Sequence, residues 1–243
     1  MPPLKNTLNR YLNRLKLSLR SNTCCVCKAS FTHTEIRAEK QHQHICNNCR
    51  PAIHMRDYAP VLETPIADVY AVCDYPQDIK RWLYQIKFDE NNRSALMFAE
   101  LVLHYVEEAG LLSDSHLYEN ILVPIPSHQK AQRHHLGHIY QPVASELGWT
   151  YIQDFLNWRR PIQFQHGLTS KQQRRENVRE AFVLNEEQLS SKVKGNHKPL
   201  RLIVVDDIYT SGATMTEALI TLKVAYPDAK LIGVSLCHLP IKH

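Results

Sequence analysis

Two groups of side chains in this sequence have the types and spacing for chemistry. One is an acidic pair that opens onto a run of small residues, Leu202-Ile-Val-Val-Asp-Asp-Ile-Tyr-Thr-Ser-Gly-Ala-Thr214. Four consecutive apolar residues describe a strand buried on both faces, as in a parallel sheet. Asp206 and Asp207 then fall at its carboxyl end, where open α/β sheets bind ligands. Thr210, Ser211, Gly212, Ala213 and Thr214 are all small and precede a helix expected from Met215. Small residues let backbone N–H groups approach an anion closely, and the helix N-terminus adds a partial positive charge. Carboxylates beside a phosphate would repel it, so their role would be to accept hydrogen bonds from vicinal sugar hydroxyls, directly or through a hydrated Mg2+. Anion and sugar together describe a ribose phosphate. Asp206, Asp207 and Thr210 could also serve as plain turn and cap residues, but a cap needs one such residue rather than the whole run.

The second group is Cys24-x-x-Cys27 and Cys46-x-x-Cys49, separated by 18 residues, a spacing that suits one tetrahedral Zn2+. Four thiolates saturate zinc and leave no position for water, so such a site would be structural. Cys25 is a spare thiol, and His42 and His44 read as exposed rather than as ligands. Cys73 and Cys237 lie in or beside expected strands and read as small buried apolar residues.

These groups need elements to position them. Leu4, Leu8, Leu12, Leu15 and Leu19 recur at helical spacing with Lys and Arg between them, so 1–22 reads as a basic amphipathic helix. Residues 23–52 have too little apolar periodicity to bury a core unaided, which is where a metal would substitute. A linker with Pro60 and Pro65 leads to a main domain over 66–243. There the pattern predicts a strand at 68–75, helices at 78–88 and 93–108, a strand at 121–123 stopped by Pro124 and Pro126, a helix from about 129 to 147 and a strand at 150–155. Residues 161–179 are polar with no convincing period and read as a loop. Strand 202–205, helix 215–225 and strand 231–236 complete a β-α-β unit. His128, His134, His135 and His138, with Lys130 and Arg133, read as a solvated basic face, and Trp82, Trp149 and Trp158 as core or interface residues.

In 243 residues, 44% apolar and 22% charged residues suit a folded chain and argue against disorder or a fibre. No apolar run is long enough for membrane insertion, and the expectation is a cytoplasmic protein. Seven cysteines in a reducing compartment favour metal ligation over disulfides. A net charge of +5 is compatible with a polyanionic partner.

The 202–214 segment resembles the phosphoribosyl-diphosphate (PRPP) signature of type I phosphoribosyltransferases, and the wider chain resembles the ComF family of competence proteins. ComF-like proteins place a four-cysteine module before a Lys-bearing helical segment, here Ile86-Lys87-Phe88, and a Val-Pro-x-Pro stretch, here Val123-Pro124-Ile125-Pro126. A loop with Gln165, Leu168, Arg174, Arg175, Asn177 and Phe182 follows. Where the family shows Arg-Gly-Phe-Asn-Gln, this chain has Leu136-Gly137-His138-Ile139-Tyr140, keeping only the glycine.

The resemblance implies a type I phosphoribosyltransferase-like, Rossmann-like α/β fold, a parallel sheet with helices on both faces, behind the zinc module. It implies Asp206 and Asp207 as the catalytic acids and 210–214 as the phosphate loop. Pro124, Ile125, Arg174 and Arg175 would stand on the diphosphate side. Zn2+ would be structural and Mg2+ would accompany PRPP. The implied role is DNA uptake in natural transformation, with single-stranded DNA and other competence proteins as partners. An active phosphoribosyltransferase with an unidentified acceptor, and a single-stranded-DNA adaptor with a vestigial phosphate loop, are the alternatives.

Overall fold

The structure is a computed structural model that describes residues 24, 27, 29–30, 45–46, 48–49, 53–88, 93–127, 135–162, 170–193 and 198–240. The expected helix at 1–22, and Cys25, His42, His44, Gln165 and Leu168, lie outside the described residues.

Among these residues the chain builds β1 (Leu62–Glu63), β2 (Ala67–Asp74), α1 (Gln77–Phe88), α2 (Arg93–Glu108), β3 (Glu119–Pro124), α3 (His135–Leu147), β4 (Thr150–Tyr151), β5 (Leu156–Trp158), α4 (Lys171–Val178), β6 (Phe182–Leu184), α5 (Glu186–Lys192), β7 (Leu200–Tyr209), α6 (Ala213–Ala225) and β8 (Lys230–His238). A six-stranded sheet has the order β1-β2-β8-β7-β3-β4. Its strands are parallel except β1, which pairs antiparallel with the first half of β2. His54, Met55 and Arg56 pair with the second half of β2, so its outer edge is covered along its length.

Period-two alternation along β7 divides the core into two layers. Ile203 and Val205 face α1, α2 and α3 with Trp82, Phe98, Tyr105 and Tyr140. Leu202 and Val204 face α6, with Met215, Leu219 and Leu222, and the small β5–β6 sheet. Burying a Val, Leu or Ile side chain stabilises by about 1.5–3 kcal/mol. This is the mostly parallel sheet with helices on both faces that the sequence implies.

Three expectations need correction. The strand is Thr150–Tyr151, and the Ile152 N–H makes a further bond to the Leu122 carbonyl of β3; the chain then turns at Asp154, whose carbonyl accepts from Asn157, and 156–158 joins β6 instead. Part of the stretch read as a loop is α4. Ser170 and Gln173 form a reciprocal capping box, and Arg160 donates to the carbonyls of Asn177 and Arg179 at the other end. His135 is buried in α3 rather than exposed on a basic face.

Candidate functional site

Connections leave β3 and β7 in opposite directions. From β3 the chain passes through α3, on one face, to β4; from β7 it passes through α6, on the other face, to β8. The carboxyl ends of β3 and β7 thus flank a switch point, where a crevice opens in sheets of this kind. Pro124 pairs with Val205, and the Ile125 N–H donates to the Val205 carbonyl at 2.9 Å. Pro124 and Ile125 therefore sit one residue from Asp206. The Trp158 indole N–H ties the β5–β6 sheet to the Pro126 carbonyl at 2.9 Å.

Asp206 and Asp207 stand in the same place in opposite electrostatic settings. The Asp206 carboxylate accepts the Asp207 backbone N–H at 2.8 Å. Burial, then the charge of Asp207, pushes its pKa well above the ordinary carboxylate range. Burial acts in the same sense on Asp207, but a hydrogen bond from His135 and the charge of Lys87 outweigh it and hold Asp207 well below that range. Lys87 Nζ forms an ion pair with Asp207 Oδ2, and His135 Nε2 lies 3.2 Å from the same oxygen. The pair is thus one carboxylate that stays ionised and one that takes up a proton first. The Tyr140 hydroxyl donates to the Asp206 carbonyl at 3.1 Å. The segment that departs from the ComF pattern therefore supports the acids from behind.

β7 runs through the acids to Tyr209, and the chain then turns through Thr210, Ser211 and Gly212 into α6. Gly212 caps α6 in a left-handed conformation, φ 75°. A Cβ there would collide with the Tyr209 hydroxyl, so glycine is required twice over. The first N–H groups of a helix lack partners within it; here the Ala213 N–H donates to Ser211 Oγ at 3.4 Å. The Tyr209 ring covers Gly212 from the side of His238, whose ring centre is 5.7 Å away. α4 packs against α6 and brings Arg175 close enough to Tyr209 to favour its ionised form, against the stronger effect of burial. Arg174 lies one residue earlier on the same helix.

Cys24, Cys27, Cys46 and Cys49 bring their Sγ atoms within 4.8 Å of one another. Cys27 Sγ and Cys46 Sγ are 3.7 Å apart, close to the ~3.8 Å edge of a tetrahedron with Zn–S bonds of about 2.3 Å. The donor set fits a metal such as zinc. Burial raises the Cys46 and Cys49 thiols above their usual range, so metal binding would release protons. Cys24 and Ile45 are buried against α1, α2 and β2.

Lys87 and His135 are site residues that the sequence does not reveal. Lys87 stands in a family-like segment with no role attached, and His135 reaches Asp207 across 72 residues, which no local pattern shows.

Acids at a switch point, a small-residue loop at a helix N-terminus and a mostly parallel sheet with helices on both faces make this an α/β protein, and the same chain carries a four-thiol cluster. The chain resembles curated proteins named for DNA utilization. It is 27% identical over 220 residues to DNA utilization protein YhgH of Salmonella typhimurium, covering 85% of this chain and 87% of that one. It is 25% identical over 217 residues to the Escherichia coli K12 protein of the same name, with the same coverage. Adenine phosphoribosyltransferase from Saccharomyces cerevisiae, solved with an imino-altritol bisphosphate and adenine, superposes with a TM-score of 0.36 at 12% identity over 79% of this chain and 86% of that one. No family model matches. No helix among the described residues is long and apolar enough to cross a membrane.

Proposed function

We propose that the chain binds a ribose phosphate, PRPP with Mg2+, in the crevice between β3 and β7, and that it does so as part of DNA handling in the manner of ComF-like competence proteins. The observation that carries this reading is that β7 delivers Asp206 and Asp207 and continues directly into Thr210–Thr214 at the α6 N-terminus. The 5′-phosphate would take the amides of 210–214, and the acids would take the ribose hydroxyls through Mg2+. Pro124, Ile125, Arg174 and Arg175 would stand toward the diphosphate. Mg2+ would stabilise the departing diphosphate if C1–O bond cleavage occurs; the chain's own residues orient the sugar and neutralise the anion. The name carried by the Salmonella and E. coli relatives, DNA utilization protein, supports the DNA context. In this reading Zn2+ in the 23–52 module is structural, and the 66–243 domain holds the ligand.

Calorimetric titration with PRPP and MgCl2 tests it. Saturable binding that disappears when Mg2+ is omitted, or when Asp206 and Asp207 are both changed to alanine, is the expected result. Wild-type protein that binds no PRPP at any Mg2+ concentration removes the reading. Release of diphosphate in the presence of bases would convert the binder into a transferase.

A further inference from the structure

A cavity of about 550 Å3 lies beside the candidate site, between α1 and the carboxyl ends of β2 and β7. Its lining includes Tyr75, Lys80, Arg81, Tyr84, Lys87 and Ile208. Lys80, Arg81 and Tyr84 follow one another at helical spacing, so the exposed stripe of α1 forms a wall. Two rings and three cations line it against a single acid, Asp78, which itself accepts from Arg81 at 3.2 Å. Tyr84 is 64% exposed. Tyr75 is pushed up to about 12, first by burial and then by the charge of Asp207, so it remains a neutral donor at physiological pH.

We propose that this groove is a binding site for a nucleotide unit, a planar base on the Tyr84 ring with its phosphate on Lys80 and Arg81. An acidic peptide would use the cations and leave the exposed ring without a role, and a lipid would need an apolar floor wider than Leu83 and Ile208. A base with an attached phosphate uses both features of the wall. Ile208 directly follows Asp207, so a ligand in the groove lies against the carboxyl end of the same strand that carries the acids. The site does not depend on the loop binding PRPP. Its ligand is either a free nucleotide or one residue of a single strand.

The test uses the full metal-loaded chain, fluorescein-labelled oligothymidylate followed by anisotropy, and thymidine monophosphate followed by calorimetry. Tyr84→Ala should weaken binding about tenfold or more, the effect of losing one base stack. Lys80→Ala with Arg81→Ala should weaken it and flatten the dependence of log K on log salt by roughly 0.7 for each phosphate that is no longer neutralised. Val224→Ala, an 80% exposed position on the far helix α6, should bind as wild type. Monophosphate binding as tight as the oligomer identifies a free nucleotide, and binding of the oligomer alone identifies a strand. Either supports the site. Wild-type affinity in both groove variants overturns the proposal, as does absence of binding by either probe. Melting temperature and PRPP binding of Tyr84→Ala, both expected unchanged, separate this result from unfolding and from failure of the loop reading.

Discussion

Lys87, in the last turn of α1, forms an ion pair with Asp207 at the carboxyl end of β7, joining a helix on one face of the sheet to the candidate ligand crevice. The side chains are 23% and 13% exposed, so solvent screens the pair only in part. Removing one partner leaves the other charge largely buried, which is worse than removing both. Lys87→Met should destabilise the protein by about 2 kcal/mol at pH 7, and adding Asp207→Asn should restore part of that. Denaturant unfolding of the double-mutant cycle should give a coupling of about 1–3 kcal/mol. Additive single effects would show that the pair carries no energy. Asp207 has a folded-state pKa below the ordinary value of 3.8, so its contribution is full above that pH and is lost as pH falls toward the folded value. Asp207→Asn should therefore show a shallower acid limb than wild type.

Asp206 has the opposite sign. Its folded-state pKa lies above 3.8, so its contribution is present below that pH and is lost as pH rises through the folded value. Asn keeps an oxygen to accept the Asp207 N–H and never becomes charged. Asp206→Asn should melt higher than wild type at pH 8, by roughly 2–4 °C for each kcal/mol relieved, with the difference vanishing near pH 3. The same variant should lose Mg2+-dependent PRPP binding if the proposed function holds. A variant that is less stable at pH 8, or whose advantage is the same at both pH values, contradicts this account of the acids.

The parts of the fold set by continuous local patterns are legible in the sequence. Helix 93–108 has the expected bounds, and the apolar run before Asp206 is the centre of the sheet. β7 extends beyond the expected 202–205 because its ends pair with β3 and β8 whatever their side chains, and α6 begins at Ala213 because Gly212 turns the chain there. The short strands β1, β5 and β6 owe their existence to tertiary pairing, such as the stacked Trp158 and Phe182 rings at 4.3 Å, and leave no period to read. α4 has one buried apolar side chain, Val178, so hydrophobic period does not show it, although Ser-x-x-Gln at 170–173 is a readable cap. At the site, the acids and small residues are contiguous and visible. Their counter-ions come from α1 and α3, and pairing over that separation leaves no mark in a single sequence.

Glu146, near the end of α3, is 7% exposed, and its Oε1 has no hydrogen-bond partner among the described residues. Burial raises its pKa from 4.5 to about 7. Its contribution is therefore present below pH 4.5 and is lost between that value and pH 7 as the carboxyl ionises in the folded protein. Glu146→Gln should be close to wild type at pH 4.5 and more stable at pH 8, by on the order of 1–3 kcal/mol. Urea unfolding at both pH values measures it. Equal stabilities at pH 8 would mean that Glu146 is solvated when charged.

Metal removal should reach beyond the cysteines. Cys24 is fully buried and Ile45 is 2% exposed, and both pack in the layer that holds Trp82 and the α1 and α2 core. The cluster then fastens to the same layer as the helix that supplies Lys87. Freeing four thiols would loosen Ile45 from that layer and open an apolar surface that the metal had kept closed. Chelation should lower the melting temperature, increase binding of a hydrophobic dye and change Trp fluorescence, and stoichiometric Zn2+ should reverse all three. Because burial holds the Cys46 and Cys49 thiols protonated, Zn2+ affinity measured by chelator competition should rise with pH, by about tenfold or more per unit where at least one proton leaves for each ion bound. Metal-free protein that melts with the loaded protein would show that these cysteines stabilise nothing outside themselves.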